Sequence, residues 1–301
     1  MTSDFLDTNG EFINAHGGGM LWHEGTYYWY GECRPAGPST LNAQIGISCY
    51  ASTDLVQWEN HGAVLRVSDE PGHDLEAGCK IERPKATFCE QTGKFVLWWH
   101  HDLKGLGHLG ALAGVATADT PTGPFEFIRT FRPSNLMFRD CTLFKDDDGT
   151  AYLVFATDDN ANLAIAELDS TYLEPTAKTI KCFPGRYMEA PCVFKRNGLY
   201  YLIASDCSSW LPNEARSAVA PSLFGPWHEL GNPCLGEDAE ITFGAQSTYV
   251  QPIVGQEDAY LFMADRWRPD ALEQSTYLWL PLEFRKTVPH WPDRPFLRQK
   301  P

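Results

Sequence analysis

Polar residues with acid, amide or imidazole chemistry recur along this chain at intervals of roughly fifty to seventy residues. They are Asn14 with His16, then Glu82, Asp140, Glu189 and Gln246. Each stands near the start of an apolar segment that leads into a turn and an aromatic strand; those strands read HEGTYYWYGE, TGKFVLWWHH, DDGTAYLVFA, RNGLYYLIAS and QEDAYLFMAD. Glu189 lies in Tyr187-Met-Glu-Ala-Pro191, among apolar neighbours that would desolvate its carboxyl, raise its pKa and suit it to donate a proton near neutrality. Asp140, in Arg139-Asp-Cys-Thr-Leu-Phe144, offers a second negative charge that would hold the proton on Glu189, or a group to orient a substrate. The acids of the following turn, Asp146 to Asp148, are expected to shape a hairpin and face water.

The other positions are more open. Glu82 stands beside Arg83 in Ile81-Glu-Arg-Pro-Lys85, so a buried ion pair competes with a catalytic role; strand alternation would send the two to opposite faces and admit one of them, Glu82, to a pocket. Gln246, in Gly244-Ala-Gln-Ser-Thr-Tyr249, is an amide and reads first as a holder of a hydroxyl or a water. Asn14 and His16 precede Gly17-Gly-Gly19, where missing side chains would let backbone approach a ligand. No spacing supplies His16 with metal-ligand partners, so no metal and no cofactor is expected. Acids paired across an aromatic pocket meet the needs of glycosidic bond hydrolysis, in which one protonates the leaving oxygen and another activates water or attacks carbon. Acyl transfer fits poorly, since G-x-S-x-G is absent.

These side chains must be brought together by a radial fold. Short strands dominate, helical periodicity is missing, and a second recurring pattern (ASTDLVQWENHG, ATADTPTGPFEFI, ELDSTYLEPT, APSLFGPWHELG) reads as a polar turn and an outer strand. The prediction is an all-β, five-bladed β-propeller occupying residues 1–301 as a single domain, with Leu280 to Phe284 completing the ring. If each polar residue opens the innermost strand of its blade, all five converge on one axial pocket. Gly105-Leu-Gly-His-Leu-Gly110 matches the dinucleotide fingerprint, but the residues after it, ALAGVATADTPTGPF, read as a short strand and a turn, not the helix that motif needs.

Composition narrows the partners. Against 39 acidic residues stand 24 Lys and Arg, and a net charge of -15 opposes binding to nucleic acid. The aromatic fraction of 13% suits stacking on sugar faces, and no stretch is long enough to span a membrane. The nine cysteines are too many to pair internally without remainder and lack C-x-x-C spacing; most read as small buried hydrophobes. Reduced thiols and an N-terminus without a leader pattern place the expected location in the cytoplasm.

With these residues in view, the chain resembles glycoside hydrolase family 43, most closely its branch of exo-β-1,3-galactanases and related galactosidases. The similarity rests on INAHGGG with YYWYGE, on IERPK, RDCTLFKDDDG, the EAP of Glu189, AQSTYV, and DRW at Asp265 to Trp267. The resemblance implies inverting chemistry, a proton donor at Glu189, a pKa-tuning aspartate at Asp140, and a galactose-containing oligosaccharide or polysaccharide as partner. Where most of the wider family has a general-base aspartate, this chain has Asn14, Ala15 and His16. In the galactanase-like branch that role passes to a glutamine matching Gln246, acting as its imidic acid tautomer, with a glutamate matching Glu82 nearby. Glu32, Asn160, Ser208 and Trp210 are implied to hold the terminal sugar, and Asn14, His16, Arg83 and Asp265 join them as sugar contacts. Terminal galactofuranosides, α-L-arabinofuranosides or β-xylosides are the alternative substrates, and a non-catalytic sugar-binding propeller is the alternative class.

Overall fold

Each repeat folds as an antiparallel sheet whose first hairpin turns where glycine or a left-handed residue allows it. In the first, Glu24 and Gly25 both take positive φ (46° and 87°); in the fourth, Asn197 and Gly198 do the same (52° and 75°). That conformation matches the right-handed twist of the strands it joins. A computed structural model describes residues 5–35, 42–43, 45–286 and 292–299, so the first four residues, part of the segment read for a leader, lie outside the described residues.

The first sheet is β1 (His16–His23), β2 (Thr26–Cys33), β3 (Gly46–Ser52) and β4 (Glu59–Arg66). The second is β5 (Lys80–Cys89), β6 (Lys94–Asp102), β7 (Leu112–Ala118) and β8 (Glu126–Phe131). The third is β9 (Cys141–Lys145), β10 (Ala151–Thr157), β11 (Asn162–Leu168) and β12 (Pro175–Cys182). The fourth is β13 (Met188–Arg196), β14 (Leu199–Asp206), β15 (Ala215–Ala220) and β16 (His228–Gly231). The fifth has three strands, β17 (Gln246–Pro252), β18 (Tyr260–Arg266) and β19 (Thr276–Pro281). Neighbours in sequence are neighbours in each sheet, and the five sheets form a β-propeller. Helix among the described residues is confined to short 3-10 segments.

Sheets that bury both faces need apolar side chains on both, and five separate cores result, one at each blade junction. Tyr30 and Leu65 of blade one pack with Leu97 and Trp99 of blade two. Trp98 meets Phe155 at the next junction, Val154 meets Leu202 at the third, and Phe194 meets Phe262 at the fourth. The fifth junction closes the ring: Trp29 and Trp58 of blade one pack with Tyr277, and Phe5 lies across Tyr277 and Trp279 at 5.2 and 4.9 Å. The Tyr277 hydroxyl accepts from the Ala15 N–H (2.9 Å) and donates to the Ile13 carbonyl (2.8 Å), so the chain's start is tied to its last blade.

Two expectations change in detail. Leu280 to Phe284 does not form one ring-completing strand: Leu280 belongs to β19, while Phe284 sits in β20 (Glu283–Arg285), which pairs with β21 (Arg294–Phe296) and packs on Phe194 and Tyr201. In the acidic turn, Asp147 and Asp148 are exposed as expected, but Asp146 turns inward to accept from Lys195 and Tyr200 (both 2.5 Å), joining blade three to blade four.

Candidate active site

The five inner strands begin on one face of the ring, and in four of them the ladder slips where the polar residue stands. The slips fall between His16 and Gly19, Glu82 and Lys85, Glu189 and Cys192, and Ser247 and Tyr249. A bulge places an extra residue on one strand and re-aims its side chain. Arg83 and Ala190, inside two of these bulges, take positive φ (56° and 51°). This overturns the alternation expected at Glu82 and Arg83: because Arg83 is bulged, both side chains reach the pocket.

That pocket, about 100 Å3, is lined by Glu82 and Arg83 from blade two, Asp140 from blade three, Glu189 from blade four and Gln246 from blade five, with Glu32, Arg34, His108, Ser209, Trp210 and Trp267 around them. A larger hollow of about 520 Å3 lies between Phe5, Phe12, Arg266, Arg268 and Tyr277, with Glu273 as its single acid, so it lacks the carboxylate pair.

Arg83 is the hub. Its Nε lies 3.0 Å from Asp140 Oδ2, its Nη2 donates to Gln246 Oε1 (2.5 Å), and its Nη1 donates to the Ser247 carbonyl (3.2 Å). The Arg83 backbone N–H donates to Glu32 Oε1 (3.2 Å), and Glu32 is paired on its other oxygen with Arg34 (2.5 Å). The guanidinium also stands 5.6 Å from the centre of the Trp267 ring. Asp140 accepts the Ala190 N–H on the same oxygen that faces Arg83 (3.0 Å), which fixes its charge beside the neighbouring residue in sequence, Glu189.

Glu189 and Glu82 are driven in opposite directions. Burial, and then the Asp140 charge, push the Glu189 carboxyl up to about 8, against the opposing pull of Arg83. Its Oε1 accepts from Asn160 Nδ2 (2.8 Å). Burial works the same way on Glu82, but there the His100 ring outweighs it and holds the carboxyl well below its usual range. His100 Nδ1 is 3.0 Å from Glu82 Oε2, and Nε2 is 3.2 Å from Asp102 Oδ2. Burial favours neutral imidazole, but the two carboxylates overcome it and raise His100 above its ordinary value. Neither His100 nor Asp102 was a candidate from the sequence.

Gln246 is held at both ends of its amide. Its Oε1 accepts from both Arg83 and Trp267 Nε1 (2.9 Å), and its Nε2 donates to Ser205 Oγ (2.9 Å). Arginine and indole N–H groups only donate, so the oxygen must face them and the ordinary amide is the form this setting stabilises.

The remaining candidates stand behind the pocket wall. His16 is fully buried and stacked on Tyr277 at 5.4 Å; burial, and then the Arg34 charge, lower it to about 3, so it is neutral. Asp265, raised to about 7 by burial, accepts the Gly17 N–H (3.2 Å). Asn14 exchanges hydrogen bonds with the Arg34 backbone (2.6 and 3.0 Å) and so sets that arginine's place. Ser208 is used within its own loop, donating to the Leu211 carbonyl (2.6 Å), and its neighbour Ser209 lines the pocket instead. The glycines after His16 also serve protein neighbours, not a ligand: a Cβ at Gly17 would meet Glu32 at 2.4 Å and one at Gly19 would meet Lys85 at 2.3 Å. Lys85 itself is buried and donates to the Gly17 carbonyl (2.9 Å). The glycine-rich stretch at 105–110 forms a loop whose 3-10 turn, Gly107–Leu109, brings His108 to the pocket, and the strand β7 comes after it as expected.

Glu82, His100 and His108 place possible metal-ligand atoms within 4.8 Å of one another. The Lys80 ammonium, however, lies 2.7 Å from His108 Nε2, and both nitrogens of His100 already face carboxylates. The charge these acids meet is that of the imidazolium and the lysine, and a cation entering there would meet Lys80.

The comparisons agree with this geometry. The profile of glycosyl hydrolases family 43 matches residues 19–274. The chain belongs to family 43. In architecture it is similar to a family 43 β-1,3-galactosidase solved with galactodeoxynojirimycin, at 43% identity and a TM-score of 0.93 over 98% of this chain and 96% of that one. It is also similar to the family 43 exo-β-1,3-galactanases of Phanerochaete chrysosporium, solved with β-1,3-galactotriose (36% identity, TM-score 0.85, 94% of this chain and 64% of that chain), and of Clostridium thermocellum (39%, 0.85, 98% and 63%). The chain thus spans slightly under two thirds of those two proteins. A β-D-galactofuranosidase of Aspergillus niger is 25% identical over 81% of this chain and 72% of its own length. Family 43 membership makes the protein a glycoside hydrolase.

Proposed function

We propose that the enzyme removes a terminal galactose, β-1,3-linked, from galactan or galacto-oligosaccharides by one-step displacement with inversion. The observation that carries this reading is a single pocket lined by two glutamates with opposed surroundings, Glu189 beside the Asp140 carboxylate, which favours its protonated form, and Glu82 at 3.0 Å from the His100 ring, which favours its charged form. Glu189 gives its proton to the glycosidic oxygen as the C1–O bond breaks and the bonding electrons pass to that oxygen. A water oxygen bonds to C1 from the opposite face, and its proton passes to Glu82. Asp140 raises the proton affinity of Glu189, while Arg83 ties Asp140 to Gln246. Gln246 orients the water or a sugar hydroxyl through its second Nε2 hydrogen, while Arg83 and Trp267 on its oxygen favour the amide form, whose nitrogen is not basic. Removal of terminal units over internal cleavage is supported by the similarity to exo-β-1,3-galactanases.

Hydrolysis of β-1,3-galactobiose, monitored by NMR from the first turnover, tests the reading: α-galactose should appear first. Initial release of β-galactose would show retention and remove the one-step mechanism. A second reading, release of terminal galactofuranose, is favoured by the similarity to the Aspergillus niger enzyme. A panel of aryl galactopyranosides, galactofuranosides, arabinofuranosides and xylosides separates the two.

A further inference from the structure

We propose that His100, held between Glu82 and Asp102, is a positioning residue of the hydrolytic site, fixing the Glu82 carboxylate in its charged form and aiming it at the attacking water. The inference rests on the reading of Glu82 as the group that receives the water's proton. His100 is buried, and its two ring nitrogens face two carboxylates at 3.0 and 3.2 Å, so the ring has no freedom to turn without losing one of them. Asp102 is itself immobilised: it is fully buried, and its Oδ1 accepts the Ala111 N–H (2.7 Å). Gly110 belongs to the same wall, since a Cβ there would stand 2.9 Å from Asp102 Oδ1. Backbone thus holds an aspartate, the aspartate faces an imidazolium, and the imidazolium faces the catalytic carboxylate. The far nitrogen of a histidine is commonly set by such an acid, which fixes the orientation of the near one.

The surrounding charges are mixed, which is why the ring matters. Lys80 and His108 favour ionised Glu82, whereas Glu32 on β2, and Glu189 on β13 once it has lost its proton, oppose it. On His100 itself act Glu82 and Asp102; His101 precedes Asp102 on the same strand, the His108 ring lies 6.2 Å away, and Cys141 of β9 packs near its backbone. Without the imidazolium, Glu82 would lose its largest opposing charge and be left with Lys80 and His108 against burial, closer to the situation of Glu189. One residue on β6 therefore separates the roles of the two glutamates.

The test compares wild type with His100→Gln and Asp102→Asn on β-1,3-galactobiose across pH, with folding checked by circular dichroism. For His100→Gln, kcat should fall about 10²-fold with little change in KM, as when a positioned base is disabled. The acid limb of kcat/KM should also rise by about one pH unit or more, since the buried carboxyl is no longer paired. Asp102→Asn should shift the same limb in the same direction by less. In parallel, carbon-13 titration of the Glu82 carboxyl, which needs no substrate, should show its pKa rising in His100→Gln. An unmoved acid limb together with an unmoved Glu82 titration in a folded variant would overturn the proposal. So would loss of wild-type activity on chelation with recovery in zinc, which would make the cluster a metal site. If wild type cleaves no galactoside but the Glu82 titration moves, the function reading fails while the positioning of Glu82 by His100 stands.

Discussion

Two glutamates of the pocket differ in fate because their partners differ. Glu189 has an amide, Asn160, on one oxygen and a fixed aspartate close by; Glu82 has an imidazolium. Burial penalises charge at both, so burial alone would make both proton donors. What separates them is whether the nearest full charge is negative, as with Asp140, or positive, as with His100. Opposed protonation states are what acid-base hydrolysis requires, and here they come from neighbours, His100 on the strand beside Glu82 and Asp140 on the blade before Glu189, more than from the two residues themselves.

The harshest way to break this contrast is to remove the proton. Glu189→Gln should cut kcat/KM on β-1,3-galactobiose by about 10³-fold or more. The loss should shrink on an aryl galactoside whose leaving group departs without protonation. Equal losses on both substrates would count against Glu189 as the donor.

Removing the opposite charge comes next. Glu82→Gln should lower kcat/KM by about 10²-fold, while Gln246→Ala, which deletes hydrogen bonds without deleting a base, should cost about tenfold. The order decides between the two. If Gln246→Ala proves the more damaging, the amide is the water-activating group, and Glu82 supports it.

The contrast can also be narrowed without abolishing either role. Asp140→Asn removes the second cause of the raised Glu189 pKa, after burial. A lower pKa means the donor is lost sooner as pH rises, so the basic limb of kcat/KM should move from about 8 toward 7, roughly one unit. An unchanged limb would leave burial and the Glu82 charge as the causes.

How much of this contrast could be read beforehand depends on where its parts lie. The polar residues at the starts of the inner strands were legible because a repeat fixes equivalent places and the residue types vary among them. Among their partners, His100 and Ser205 were not, and Glu32 and Asp265 came only with the family resemblance, because all four stand on the second strand of each hairpin. The register pairs His16 with Glu32, Glu82 with His100, Glu189 with Ser205 and Gln246 with Asp265. Counting back across the turn in TGKFVLWWHHD sets His101 opposite Glu82, and the bulge at Arg83 and Pro84 shifts the pairing by one to His100; the HHD that interrupts an apolar strand was the available signal. Arg83 was misplaced for another reason: alternation holds for a regular strand, and a bulge cancels it; Pro84, which cannot donate to a ladder, was its mark in IERPK. The aromatic strands told of five sheets, and the five junction cores are their consequence.

The smallest effect lies in stability, and it carries the same contrast outside catalysis. A carboxyl whose folded pKa is raised binds its proton more tightly in the native state than in the unfolded chain. The resulting stability is fully present below the unfolded value, 4.5, and is lost as pH rises through about 8. At pH 9 wild type therefore carries an ionised, half-buried Glu189 beside Asp140, a penalty that Glu189→Gln removes. The variant should melt about 2 to 4 °C above wild type at pH 9, on the order of 1 kcal/mol for a domain of this size, and the gap should close near pH 4. Glu82→Gln should behave in the opposite sense, less stable than wild type at neutral pH, because its charge is matched by His100 and the amide leaves that imidazolium with one acid. Two glutamine substitutions in one pocket, one stabilising and one destabilising, would show the division of labour in the free enzyme. A Glu82→Gln variant more stable than wild type at pH 7, like Glu189→Gln at pH 9, would mean that His100 does not distinguish them.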